Sequence, residues 1–253
     1  MRRLIALSAV LVISTLVIPV IAQEDPPTIS RGYSLKVKLG NEVNFEAAMK
    51  KQLAWYKQNN ETWAWHMWQW ETGDQVGEYL FRSPGHRWED MDERDERGAR
   101  AGAHFREVVA PHVESLGSTI GNILPKVSHW PADVDTIPFV SVDTFYLNYG
   151  MDEDFEHMMA KIHKAVGDSG WPVKYALGVT VSGGEAGTYW VVIPHQNWAD
   201  MKGPEKPFWT MIEETIGRQE ADVMRAGFRD CVREQHTALA RFRPDLSYIP
   251  PEE

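Results

Sequence analysis

Gly77-Glu-Tyr79-Leu-Phe-Arg-Ser-Pro84-Gly-His-Arg-Trp88-Glu-Asp90-Met91 reappears 110 residues later as Gly187-Thr-Tyr189-Trp-Val-Val-Ile-Pro194-His-Gln-Asn-Trp198-Ala-Asp200-Met201. A frame of six identical residues over this span is far more than chance supplies, and it decides the fold, because a chain built from two copies of one module must be read as a repeat. Working outward, the same shift aligns 40–91 with 150–201 without a gap. Further identities fall at Gly40/Gly150, Phe45/Phe155, Glu46/Glu156, Met49/Met159, Lys51/Lys161 and Gly73/Gly183.

Each copy carries the same succession of local signals. Tyr33 to Leu39 alternates apolar and polar residues, the period of a half-buried strand, and Asp143 to Tyr149 is its counterpart. Glycine ends each strand, and Asn41 or Asp152 is placed to cap the helix that follows. Phe45, Ala48, Met49, Leu53 and Tyr56 form a helical apolar stripe, as do Phe155, Met158, Met159, Ile162 and Val166. A second strand (62–71 or 172–182) turns at glycine into a third (77–83 or 187–193), making a hairpin. A second helix is expected over roughly 92–117 and 207–236, and short final strands near 123–128 and 238–243.

The order β-α-β-β-α-β is a ferredoxin-like unit, an α+β arrangement with helices on one face of an antiparallel sheet. Two such units in one chain can bury their bare faces against each other, closing one α+β barrel. With its doubled Gly-x-Tyr…Trp-x-Asp-Met signature, the chain resembles the dimeric α+β barrel superfamily in a fused tandem form. That group includes antibiotic-biosynthesis monooxygenase-like enzymes, stress-responsive barrel proteins and haem-handling enzymes. The expected organisation is a leader at 1–22, a linker at 23–32, repeats at 33–135 and 136–247, and a tail at 248–253. The resemblance implies a cofactor-independent or haem-dependent monooxygenase-like enzyme; fold alone does not transfer a reaction.

Strand parity nominates the barrel lining. Leu35, Val37, Leu39, Phe145, Leu147, Tyr149, Trp63, Trp65, Met67, Val173, Tyr175 and Leu177 should face the helices. Ser34, Lys36, Lys38, His66, Trp68, Trp70, Leu80 and Arg82 should face inward, opposite Thr144, Tyr146, Asn148, Lys174, Ala176, Gly178, Thr180, Trp190 and Val192. The large residues of one copy match small residues of the other. This is either close packing across the interface or a pocket roofed by His66, Trp68, Trp70 and Trp190 and floored by Gly178 and Thr180. Lys36, Arg82 and Lys174, if inward, need anionic partners, and the acid group of an aromatic or planar ligand would serve; otherwise the lysines lie at the rim and reach water. His66 is the candidate proton carrier or haem ligand, with Asn148 and Tyr146 to orient a substrate oxygen. An Asn on a first strand with Trp and His elsewhere is a residue set that the monooxygenase branch shares. In haem-binding barrels the axial histidine comes from a helix, which nominates His104 and His112. The rival to all of these readings is a non-catalytic binding or stress-response protein with a packed interior.

Composition excludes several classes. The 253 residues carry a net charge of −10, which argues against a nucleic-acid partner. One cysteine, Cys231, rules out an internal disulfide and a thiolate zinc site, and no metal site is expected. No nucleophile elbow, zincin helix, phosphate loop or dinucleotide glycine motif occurs, so no nicotinamide enzyme is expected. The carboxylate-rich run 89–97, with interleaved arginines, reads as the solvated start of a helix. Arg2-Arg3, the apolar run Leu4 to Ile21 and the exit Val20-Ile-Ala22 form a secretory signal peptide. The mature chain is therefore expected outside a bacterial cytoplasm, periplasmic or secreted, with no membrane contact after cleavage. It is expected as a monomer, because both barrel halves lie in one chain, with a small molecule as its partner.

Overall fold

The computed structural model describes residues 26–130 and 137–251, so the expected signal segment lies outside the described residues. The first half runs β1 (Ile29–Val37), α1 (Glu42–Gln58), β2 (His66–Trp70), β3 (Tyr79–His86), α2 (Trp88–Glu93), α3 (Asp95–Val108) and β4 (Val113–Ile123). The second runs β5 (Phe139–Leu147), α4 (Asp152–Ser169), β6 (Ala176–Ser182), β7 (Thr188–His195), α5 (Phe208–Ile216), α6 (Arg218–Cys231) and β8 (Val232–Phe242). The strands close an antiparallel barrel in the order β1-β3-β2-β8-β5-β7-β6-β4, with the seams at β2–β8 and β4–β6. Among the described residues no helix is long and apolar enough to cross a membrane.

The repeated residues are the locks between helix and sheet. Phe45 packs its ring on Tyr79 at 4.7 Å between centroids, and Phe155 on Tyr189 at 4.9 Å. Beside each ring the tyrosine hydroxyl donates to a helix carboxylate, Tyr79 to Glu46 (3.0 Å) and Tyr189 to Glu156 (2.7 Å). Around these contacts each half builds its own core between the outer sheet face and its helices, with Leu35, Met49 and Met67 in one and Leu147, Met159 and Leu177 in the other. Asp90 and Asp200 serve as turn residues, accepting the backbone N–H of Arg87 and of Gln196.

Each half also lends a segment to the other. Trp65 pairs with Tyr248, and Leu246 and Tyr248 lie in the first half's core. His129 pairs with Tyr175, and Leu124 and Val127 pack on the second half's core. The stretch read as a tail is thus buried structure at its start.

Several boundaries differ from the sequence expectation. β1 begins at Ile29, inside the expected linker. The final strands come earlier, at 113–123 and 232–242, because α3 stops at Val108 and the second half's helix breaks at Gly217, where φ is +87°. Leu39 and Tyr149 lie beyond their strand ends and are almost wholly exposed. Asn41 gives α1 no side-chain cap, and Asp152 is the first residue of α4 rather than its cap. Arg94, within the run read as solvated, instead turns inward to a buried ion pair with Glu61 under the faces of Trp63 and Trp65.

Candidate functional site

A cavity of about 650 Å³ occupies the barrel lumen, and every strand contributes to its wall. That is the size of a small-ligand site, and the described side chains do not fill it. Inward parity holds for His66, Trp68, Trp70, Leu80 and Arg82 from the first half, and for Thr144, Tyr146, Thr180, Trp190 and Val192 from the second.

Arg82 dominates the electrostatics. It is set within the barrel wall and lines the cavity, and burial draws its pKa down to about 10. Among the described residues it forms no ion pair, and its Nη2 is buried without a hydrogen-bond partner. Its guanidinium lies 5.0 Å from the ring of Trp190, a cation–π contact that reaches across from the opposite half. Strand register puts its neighbours in one row, His66 on β2, Arg82 on β3, Gly32 on β1 and Thr119 on β4. Directly opposed residues have Cβ atoms about 5 Å apart, so the imidazole and the guanidinium share one patch of wall. His66 itself is buried, its ring 5.9 Å from that of Phe242.

The aromatic wall is built from complementary sizes. Trp68 pairs with Leu80 across β2–β3, whereas at the matching place in the second half Gly178 pairs with Trp190. A Cβ on Gly178 would come within 2.1 Å of the indole, so Trp190 fills the place where a floor of Gly178 was expected. At one end of the cavity Asp74 and His236 are exposed at the mouth. The His236 imidazole pairs with Glu234 and Asp74, which raise its pKa, and meets Tyr146 edge-on at 5.6 Å. Among the described residues the unpaired cation therefore sits within the wall, while the carboxylates of Asp74 and Glu234 are exposed at the mouth.

Four expected assignments are corrected. Lys36 pairs with Glu114 at 3.0 Å and is exposed, and Lys38 donates to the Pro111 carbonyl. Lys174 precedes the first residue of β6 and bonds His129 at 2.6 Å in solvent. Asn148 follows the last residue of β5 and donates to the Asp230 carbonyl, so the trio of His66, Asn148 and Tyr146 does not assemble. All four have inward parity but sit at or past a strand end, where the side chain meets water.

The helix histidines are engaged outside the barrel. His104 bonds Gln52 at 2.7 Å and stacks on Trp55, and His112 bonds Asn41 at 3.0 Å. Neither lines the lumen, so neither is placed to hold a haem there; of the nominated haem ligands His66 alone lines it. Thr119, Gly121 and His236 were missed as lining because β4 and β8 were placed too late in the chain, and Ser30 because β1 was taken to begin at Tyr33. The alternation of small residues at Gly117, Thr119 and Gly121 is the signal that would have found the first strand.

No family model and no curated protein matches this chain. Solved structures do. A monooxygenase-like protein from Lactobacillus acidophilus NCFM superposes with a TM-score of 0.55 at 10% identity, over 90% of this chain and 97% of that one. An anthrone oxidase-like protein gives a TM-score of 0.55 at 10% identity, over 86% and 92%. A chlorite dismutase from Candidatus Nitrospira defluvii gives 0.53 at 11%, over 88% and 94%. The chain has the α+β barrel fold of these proteins, with both ferredoxin-like halves in one polypeptide.

Proposed function

We propose that this chain is an exported barrel protein that holds a small organic anion with a flat apolar body in its lumen and acts on it as a monooxygenase-like enzyme. The observation that carries the reading is Arg82, a cation set in the barrel wall with no counter-ion among the described residues, facing a cavity walled by Trp68, Trp70 and Trp190. An unpaired charge out of water is costly, and a bound anion removes that cost. The monooxygenase-like and anthrone oxidase-like neighbours support the oxidative part. His104 and His112 do not reach the lumen and His66 is assigned the proton, so the reading taken is the cofactor-independent one. In it Arg82 holds the acid group, the indoles hold the flat body, His66 accepts a substrate proton, and Tyr146 bounds the far end.

Native mass spectrometry of the chain from Gln23 onward, recovered from a periplasmic preparation, is the first test, and a co-purifying organic anion is the expected result. With that compound, dioxygen uptake should be lost in His66→Ala while binding persists. Binding without any uptake would leave a binding protein and remove the enzyme; failure to bind any organic anion would remove the reading altogether.

A further inference from the structure

The two halves of the barrel are built on one plan, and strand register allows their lumen walls to be compared position by position. In the first half the row across the sheet reads His66, Arg82, Gly32, Thr119. The equivalent row of the second half reads Ala176, Val192, Val142, Ala238. One wall carries an imidazole, a guanidinium and a hydroxyl; its counterpart has only aliphatic side chains. The rows just beside these mix sizes between halves, as Trp68 and Leu80 against Gly178 and Trp190 show, but they do not segregate charge.

We infer that the lumen is a two-ended site for an amphiphilic monocarboxylate, its single carboxylate seated on the His66–Arg82–Thr119 row and its apolar body against the Val142–Val192 wall. This rests on the reading of the lumen as a ligand site and adds the number of charged ends and their place. The planar fork of a guanidinium matches a carboxylate, and Nη2 is the buried donor with no acceptor among the described residues. Gly32 lets a second donor approach: a Cβ there would lie 2.8 Å from Thr119 Oγ1, so the hydroxyl lies over the glycine, next to Arg82 in the row. Among the described residues that line the cavity, Arg82 is the sole arginine or lysine. A monoanion cancels it, whereas a second carboxylate set on the equivalent row of the second half would be desolvated against Val142, Val192 and Ala238, none of which offers a side-chain hydrogen bond. The Trp190 indole, in contact with the guanidinium, supplies a flat surface leading from the charged wall to the apolar one.

The test is isothermal titration calorimetry of the chain from Gln23 onward with three probes of one shape: naphthoate, naphthamide, and a naphthalene dicarboxylate bearing acids at opposite ends. Naphthoate should bind at least about tenfold tighter than either of the others, a difference of about 1.4 kcal/mol. In Arg82→Met its affinity should fall to that of the amide, whose own affinity should change little. Arg82→Lys, which keeps the charge without the fork, should fall between. Equal binding of acid and amide, equal binding of the dicarboxylate, or an unchanged Arg82→Met overturns the two-ended site while leaving a lumen that binds. No heat with any probe overturns the two-ended site and the lumen reading together.

Discussion

Replacing Gly178 by alanine adds one methyl group, and the structure says what it meets. Gly178 lies in β6 with no positive φ, so the backbone itself accepts alanine, and the whole cost is steric. The new Cβ would stand 2.1 Å from Trp190 Cη2 and 2.2 Å from Cζ2. The indole has to move, and moving it disturbs its contacts with Gly121 (3.3 Å from that glycine's ideal Cβ) and with the Arg82 guanidinium. Overpacking of this kind costs about 1–3 kcal/mol, and loss of a desolvated cation–π contact adds about 1. Gly178→Ala should therefore lower stability by roughly 2–4 kcal/mol, read as a shift of the urea midpoint followed by circular dichroism. The same change in a Trp190→Leu background, which imitates the Leu80 of the first half, should cost less than about 1 kcal/mol, a coupling of at least about 1 kcal/mol in the double-mutant cycle. A single variant within about 0.5 kcal/mol of wild type, or an equal cost in both backgrounds, would refute the description of Trp190 as seated in the Gly178 gap.

Arg82→Met should stabilise the ligand-free chain by about 1–3 kcal/mol, since it removes an unpaired buried charge; a lower urea midpoint would show that the guanidinium has a protein partner after all. Tyr79→Phe and Tyr189→Phe should each cost about 1–2 kcal/mol through the lost bond to a carboxylate, and should add in the double variant, since the two locks lie in separate halves; non-additivity in chemical unfolding would contradict two independent cores. His86 is buried and bonded to Ser83, and burial lowers its pKa to about 4 from the usual 6.5. A base depressed in the folded state binds its proton more readily when unfolded, so its contribution is whole above pH 6.5 and is lost as pH falls towards 4. Up to about 3 kcal/mol is at stake, and unfolding curves of His86→Gln should show a weaker pH dependence across that window. Glu46 is held below the usual carboxylate range first by its bond from Arg243, so its contribution is present above pH 4.5 and fades below it; Glu46→Gln should flatten the acid limb of the same profile.

The fold was legible where a contact is duplicated. Phe45, Glu46 and Tyr79 recur as Phe155, Glu156 and Tyr189 because each half needs the same lock between helix and sheet, and the lock survives as identity. Parity likewise placed His66, Trp68, Arg82 and Trp190 on the lumen side, since a strand buried on both faces cannot slip by one residue. β4 and β8 were not legible because their first halves are exposed on both faces, leaving no apolar alternation to read. Lys36, Lys174 and Asn148 failed for another reason. Parity names a face but not a height along the barrel, and where a strand ends depends on partners far away in sequence.

The exchange of end segments between the halves bears on how the chain is made. Leu246 and Tyr248 finish the first half's core, Arg243 bonds Glu46 and Gln69, and the Ser247 hydroxyl accepts the Met67 N–H. Arg243, Leu246, Ser247 and Tyr248 are made after the whole of the first half. That half therefore waits with β2 unsealed and its core incomplete until residues 243–248 emerge, while the second half receives Leu124 and Val127 in advance. Long-range closure is slow and leaves strand edges open meanwhile. Truncation ahead of residue 243 should thus injure the first half rather than the second, and a nascent chain should keep that half loose until residues 243–248 are made.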